Sequence, residues 1–233
     1  MPADDKMILI RNYDLWCNLS EEDYETLHIK HQYMEVPKGE YIYFEAYNHN
    51  KIYFLKEGYI RIGHIDEDGN EKVMEIIQKG ELFGQFTLER SNLHGEFAQA
   101  YKQDVSLCAF NIEDFEKLLK NRPDLALRYS KQVGAKLRTI ENRLLNLLNK
   151  DVKTRLVHFF WQLVENKLGE TLPEGFCIPN YLKHEDIANL IGSSRQTVTT
   201  LINELEADGI LSYDRQQICF LNVKNLKKRL SVN

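Results

Sequence analysis

Lys183 to Glu206, KHEDIANLIGSSRQTVTTLINELE, is the stretch on which the reading of this chain turns. Ile187, Leu190 and Ile191 form one apolar stripe at helical spacing, and Val198, Leu201, Ile202 and Leu205 form a second. Gly192-Ser193 lies between them, where glycine permits the backbone angles of a sharp turn. Ala188 is small where the two helices must approach closely. Ser193 or Ser194 is placed to cap the second helix by accepting from an orphan N–H of its first turn. The exposed face of that helix then offers Arg195, Gln196, Thr199 and Thr200, a run of hydrogen-bonding side chains. This layout is a helix-turn-helix whose second helix enters a DNA major groove.

A solvated amphipathic helix pair would carry the same stripes, but it would not predict a hairpin on the C-terminal side. Asp208-Gly209 stops the helix, Ile210 to Tyr213 reads as a strand, Asp214-Arg215-Gln216 as a turn and Gln217 to Leu221 as the returning strand. Helix-turn-helix plus hairpin is a winged helix. The segment from Ile187 to Leu211, IANLIGSSRQTVTTLINELEADGIL, resembles the DNA-binding domain of the Crp/Fnr (catabolite activator protein) regulators. Its G-x-S-R-x-T-V core, apolar stripe and Gly-Ile-Leu entry to the wing carry the likeness, and the rest of the chain matches in order.

The 233 residues suffice for two domains, each with its own core. A hydrophobic share of 43% and a charged share of 28% describe an ordinary globular chain. No apolar run approaches membrane-span length, and the acidic start MPADDKMILIRNYDLW lacks signal-peptide layout, so a cytoplasmic protein is expected. The net charge of −5 lies wholly in the first 150 residues, because residues 151–233 carry ten basic and ten acidic side chains. A neutral reader domain must gain affinity from a few placed cations and from dimerisation. Cys17, Cys108, Cys177 and Cys219 are scattered, without the grouping an iron–sulfur cluster needs, and are expected to be reduced and structural. The histidines show no metal spacing beyond His28/His31, which reads as a solvated helix end, so neither metal nor cofactor is expected.

Residues 8–30 read as short helices. From Gln32 to Phe110 short β-rich runs are cut by turns at Pro37-Lys38-Gly39, Asp66 to Asn70 and Gly80 to Gly84. About eight strands of this kind imply a jelly roll. The resemblance implies a cyclic-nucleotide-binding-like barrel, with the G-E-L-F-G at Gly80 to Gly84 ahead of the ligand pocket. In cyclic-nucleotide binders that motif precedes an acid for the ribose and an Arg-Ser pair for the phosphate. Here Gln85 stands at the acid position, and Gly95 and Glu96 stand where Arg and Ser belong, with Phe97 next. A carboxylate repels a phosphodiester, which needs cations and donors. The adenine-contacting positions fall on Ile140 and Glu141. The expected pocket is therefore degenerate, with neither cyclic AMP nor cyclic GMP as effector.

Pro123 opens a long helix. Val133, Leu137, Ile140, Leu144 and Leu147 step along it by four, three, four and three, the seam of a two-stranded coiled coil. The expected fold is α+β: a sensor β-barrel over residues 1–122, a dimerisation helix over 123–150 and a winged helix-turn-helix domain over 151–233. Gly169 to Pro179 reads as a loop and Val223 to Leu230 as a short solvated basic helix.

For DNA, Arg195 is the foremost reader, since its fork donates twice to guanine. Gln196 replaces the Glu of the best-known relatives and suits adenine, and Thr200 replaces a second Arg. Ser193, Ser194, Thr197 and Thr199 suit phosphates or base edges, and Lys183, His184 and the wing residue Arg215 suit phosphates. The expected function is a homodimeric transcription regulator on a pseudo-palindromic operator, with double-stranded DNA and RNA polymerase as partners. A small-molecule sensor whose winged helix binds protein is the alternative. A cupin-type enzyme would need converging His ligands that His49, His64 and His94 do not supply, so no catalytic residue is expected.

Overall fold

A computed structural model describes residues 22, 31–44, 50–84, 96–168 and 173–230, without the side chains of 166–168. The expected N-terminal helices fall outside the described residues. The chain forms two compact units, one ending at Leu137 and the other beginning at Arg138.

Among the described residues, the first unit holds a six-stranded antiparallel sheet. Strands β1 (His31–Val36), β6 (Glu96–Asn111), β3 (Lys51–Ile65) and β4 (Glu71–Ile77) lie in that order, with β2 (Tyr41–Phe44) on β6 and β5 (Leu82–Gly84) on β3. Ile52–Leu55 and Tyr59–Ile62, which read as two strands, belong to one bent strand. The register on β6 shifts on both sides of Glu57, and Gly58 takes φ +94° at the bend. Only glycine fits there, since a Cβ would lie 2.7 Å from Val105 Cγ1. Likewise β6 is a single long strand that turns at Lys102, φ +66°. One long bent strand, β3, thus replaces two short ones.

This bending explains the unbroken apolar run Ile52-Tyr53-Phe54-Leu55. Alternate side chains enter different cores, so both faces are buried. Tyr53 and Leu55 join Val36, Ile60, Phe83 and Leu107 on the inner face. Ile52 and Phe54 face Phe115 and Leu119 of helix α1 (Ile112–Asn121) and Leu125 and Tyr129 of helix α2 (Pro123–Asn149). Removing a fully buried ring such as Phe54 would cost about 3–5 kcal/mol.

In the second unit, helix α3 (Val152–Leu168) buries Leu156, Val157, Phe160 and Val164. Asp151 starts it by accepting from Thr154 N–H at 2.8 Å. Helices α4 (His184–Ile191) and α5 (Arg195–Ala207) bury Ile187, Ala188, Ile191, Val198, Ile202 and Leu205. The wing strands are β8 (Leu211–Tyr213) and β9 (Gln217–Phe220), and helix α6 (Val223–Arg229) comes after them. Phe160 meets Tyr213 and Phe220 edge-on, each at 6.3 Å.

The structure corrects two expectations from the sequence. The stretch that reads as a loop contains strand β7 (Phe176–Pro179), which pairs with β9 and makes the wing sheet three-stranded, β7-β9-β8. That register sets Cys177 opposite Cys219, and their sulfurs are bonded, so these two cysteines are not reduced. Their separation of 42 residues concealed a pair that strand pairing brings together. Cys108 remains a free buried thiol, pushed up to about 11 by burial.

Candidate nucleic-acid interface

The α4–α5 turn is built by local chemistry. Gly192 adopts φ +64° and donates to Asn189 O at 3.3 Å, while Ser193 N–H donates to Ala188 O at 2.8 Å. These two bonds satisfy carbonyls left over at the end of α4. Ser194, rather than Ser193, caps α5, accepting from Thr197 N–H at 3.1 Å and meeting the Thr197 hydroxyl at 2.8 Å. At the other end of α4, Lys183 has no side-chain acceptor to offer, so only half a capping box forms. Asp186 Oδ2 reaches back to Lys183 N–H at 2.7 Å.

Arg195, Gln196, Thr199 and Thr200 line one open depression on the outer face of α5. Arg195, Gln196, Thr197 and Thr200 are exposed, whereas Ser193 and Thr199 are half-buried. The hydroxyls of Thr199 and Thr200 donate back to Arg195 O at 2.9 Å and Gln196 O at 3.2 Å. Each thus spends its proton on the helix and presents oxygen lone pairs and a methyl group. A methyl group suits the thymine C5-methyl.

His184 holds two elements together. Its Nδ1 lies 2.8 Å from Thr199 Oγ1, and its ring lies 4.9 Å from that of Tyr213. Burial lowers its pKa, nearby Arg195 lowers it further, and Glu206 opposes both. With Nδ1 occupied, Nε2 is the ring nitrogen left, and it can donate to a phosphate only when the ring is protonated. The wing is tied down by two residues that the sequence did not single out. Asn180 N–H donates to Gln216 O at 2.8 Å and its side chain donates to Asp214 O. Tyr213 N–H donates to Glu206 Oε1 at 2.8 Å, and its hydroxyl donates to Leu182 O at 2.9 Å. Burial pushes that phenol up to about 12. Arg215 and Lys183 are exposed, Arg215 at the wing tip and Lys183 just ahead of α4.

On α2, Leu137, Ile140, Leu144 and Leu147 are 37–56% exposed, and Leu145 and Leu148 extend the apolar surface. Val133 instead packs against the core around Phe115 and Tyr129. Glu141 is exposed like Ile140.

Of the expected pocket positions, Gln85 and Gly95 lie outside the described residues. Glu96 and Phe97 point to opposite faces of β6. Glu96 accepts from the buried Tyr43 hydroxyl at 2.8 Å, and burial together with this carboxylate raises the phenol's pKa. Phe97 is fully buried, with the Arg61 guanidinium 5.6 Å from its ring centre. Arg61 also donates to Gln99 Oε1 at 2.6 Å and pairs with Glu71. In the turn before β5, desolvation pushes the Glu81 carboxyl up to about 6 although the residue as a whole is exposed; a bond from Gln78 N–H at 2.7 Å opposes this, Glu75 adds to it, and Lys136, 2.8 Å from Glu75, opposes it.

Residues 33–122 match the cyclic nucleotide-binding domain family, and residues 154–229 match the Crp-like helix-turn-helix domain family. The chain belongs to the Crp/Fnr family. Similar Crp/Fnr regulators include the global nitrogen regulator of Synechocystis sp., 28% identical over 82% of this chain and 84% of that protein. The cAMP-activated global transcriptional regulator CRP of Pasteurella multocida is 26% identical over 69% and 76%. Among solved structures, a CooA mutant from Carboxydothermus hydrogenoformans shares the fold with a TM-score of 0.74 at 22% identity, over 97% of this chain and 95% of that one. FixK2 from Bradyrhizobium japonicum does so with a TM-score of 0.73 at 22% identity, over 87% and 98%. This Crp/Fnr chain is a DNA-binding transcription regulator, and its relatives are regulators rather than enzymes. No helix among the described residues is long and apolar enough to cross a membrane.

Proposed function

We propose that the protein works in the cytoplasm as a homodimer, two copies zipping along Leu137, Ile140, Leu144 and Leu147 with Val133 at the head of the seam. The exposure of Leu137, Ile140, Leu144 and Leu147 is the observation that carries the reading, because a row at 3-4-3 steps left open to water calls for a partner helix. Each protomer then lays α5 in one major groove of a pseudo-palindrome, the half-site centres roughly 34 Å apart. Arg195 reads guanine, Gln196 favours adenine, and Thr200 with Thr199 receives a thymine methyl or a base-edge donor. Ser193, Ser194 and Thr197 contact phosphates or base edges, Lys183 and Arg215 contact phosphates, and His184 does so when its ring is protonated. The domains in this reading are residues 1–122 for sensing, 123–150 for dimerisation and 151–233 for DNA binding. RNA polymerase is the further partner.

Neither cyclic AMP nor cyclic GMP is the effector. The relative from Pasteurella multocida is cAMP-activated, but here Glu96 places a carboxyl group at a position where a phosphate needs a donor. Titration with cyclic AMP and cyclic GMP at millimolar concentration should leave the melting temperature unchanged. Sedimentation and gel shift test the rest. A dimer should bind duplex with an affinity that falls steeply as salt rises, since phosphate contacts release counterions. A flat salt response would favour the protein-binding alternative, and a monomer at working concentration would end the proposal.

A further inference from the structure

Three elements of the second unit are stitched together by two arginines outside the DNA-facing surface. Arg155, in the first turn of α3, donates Nη1 to Leu147 O at 3.3 Å and Nη2 to Gly192 O at 3.2 Å. One guanidinium therefore spans the end of α2 and the turn before α5. Arg143, one turn earlier on α2, donates Nη2 to Asn189 O at 3.3 Å. Asn189 is in the last turn of α4 and Gly192 lies just beyond it, so both cations meet the negative end of that helix. Between them Leu147 lies hard against the turn, its Cδ2 only 2.7 Å from where a Cβ on Gly192 would stand.

Arg155 is not placed for stability alone. Its Nε is buried without a hydrogen-bond partner among the described residues, a cost that a fork aimed elsewhere would avoid. The fork's two arms instead reach carbonyls far apart in the chain, Leu147 on the dimer helix and Gly192 on the turn that aims the reader helix.

We infer that Arg143 and Arg155 are positioning residues that lock the α4–α5 turn to the end of α2 and thereby fix the spacing at which two α5 helices meet DNA. The inference rests on the dimeric reading. Since α2 is the element shared across the dimer, the attachment of each turn to α2 determines where both reader helices stand. The base-reading side chains touch neither arginine, so spacing and base choice should separate.

The test uses the full-length protein and a duplex selected by the wild type from a randomised pool. Variants of that duplex carry one or two base pairs added or removed between the half-sites, each pair shifting them by about 3.4 Å. Wild-type affinity should show a sharp optimum. In Arg143→Met/Arg155→Met the preference for the optimum over its neighbours should shrink by about tenfold, the size of an ordinary coupling between sites. The relative losses caused by base changes inside a half-site should stay as in the wild type. Arg155→Lys keeps charge and length but loses the fork, and gives the same reading should the double variant fail to fold. An unchanged spacing profile overturns the inference, and so does a parallel loss of base discrimination, which would mark the arginines as general supports. A wild type with no spacing optimum overturns the dimeric reading itself, before any variant is made.

Discussion

His184 and Thr199, on different helices, meet through a 2.8 Å contact between imidazole Nδ1 and hydroxyl Oγ1. Thr199 already donates its one proton to Arg195 O, so Nδ1 must carry the hydrogen, and burial favours the neutral Nδ1–H form of the ring. The reader helix is thereby fastened to the start of α4 by a group that titrates near neutrality.

Two histidines set the sign of the pH dependence. Burial, then Arg195, holds the folded pKa of His184 below its ordinary value, and burial with Lys150 does the same for His158. Between folded and unfolded pKa values the unfolded chain binds more protons, so stability rises with pH through that window. The contribution is complete above about pH 6.5 and is lost as pH falls below it. Urea unfolding between pH 8 and pH 5.5 should show the loss, and His184→Asn, which keeps a donor near Thr199, should show less of it. Glu81, raised to about 6, acts over the same range with the opposite sign, so the difference between wild type and His184→Asn carries the reading. The same pH dependence in wild type and His184→Asn would mean that the imidazole is not held neutral.

The exposed fork of Arg195 is the foremost base reader. Arg195→Ala should weaken operator binding by about 1–3 kcal/mol and relax one position in each half-site. Gln196→Glu should instead exchange preference at its position, from adenine toward cytosine. Gel shifts on a set of single-base operator variants measure both. Equal losses at every position would assign Arg195 to phosphate.

Much of this interface is legible in the sequence because its determinants are local. Gly192, Ser194 and the stripes from Ile187 to Leu205 lie within one short segment, where spacing decides structure. Strand β7 is not legible, since Phe176–Pro179 ends in proline and becomes a strand only by pairing with β9. The same non-local pairing hides the Cys177–Cys219 bond. The bent strand β3 reads as two because Gly58 punctuates it, although the chain stays in the sheet. Arg143 and Arg155 look like any solvated helix charge until Asn189 and Gly192 are brought beside them. Conversely, Glu96 and Phe97, which read as neighbours in one pocket, diverge because adjacent residues of a strand face opposite ways.

The Cys177–Cys219 bond closes a 42-residue loop around the whole helix-turn-helix, and loop closure of that length restricts the unfolded chain by about 4 kcal/mol. Protein unfolded in urea with reductant should show a midpoint lowered accordingly, and Cys177→Ser should match it with or without reductant. Peptide mapping without reduction should recover the two cysteine peptides joined. Fully alkylated Cys177 and Cys219 in the native, unreduced protein would refute the bond.

Gly192 combines a left-handed backbone with a neighbour that leaves no room. Its φ of +64° alone makes any other residue costly, and a Cβ would stand 2.7 Å from Leu147 Cδ2. Gly192→Ala should therefore destabilise by about 1–2 kcal/mol from the backbone alone, with a further loss from the displaced leucine. The two parts are separable in a double-mutant cycle. In a Leu147→Ala background the clash disappears and the backbone cost remains, so the effect of Gly192→Ala should shrink but not vanish. Urea unfolding of the four proteins gives the coupling. Strict additivity would mean that Leu147 does not rest on the turn, and would remove the packing contact that accompanies the Arg143 and Arg155 bonds.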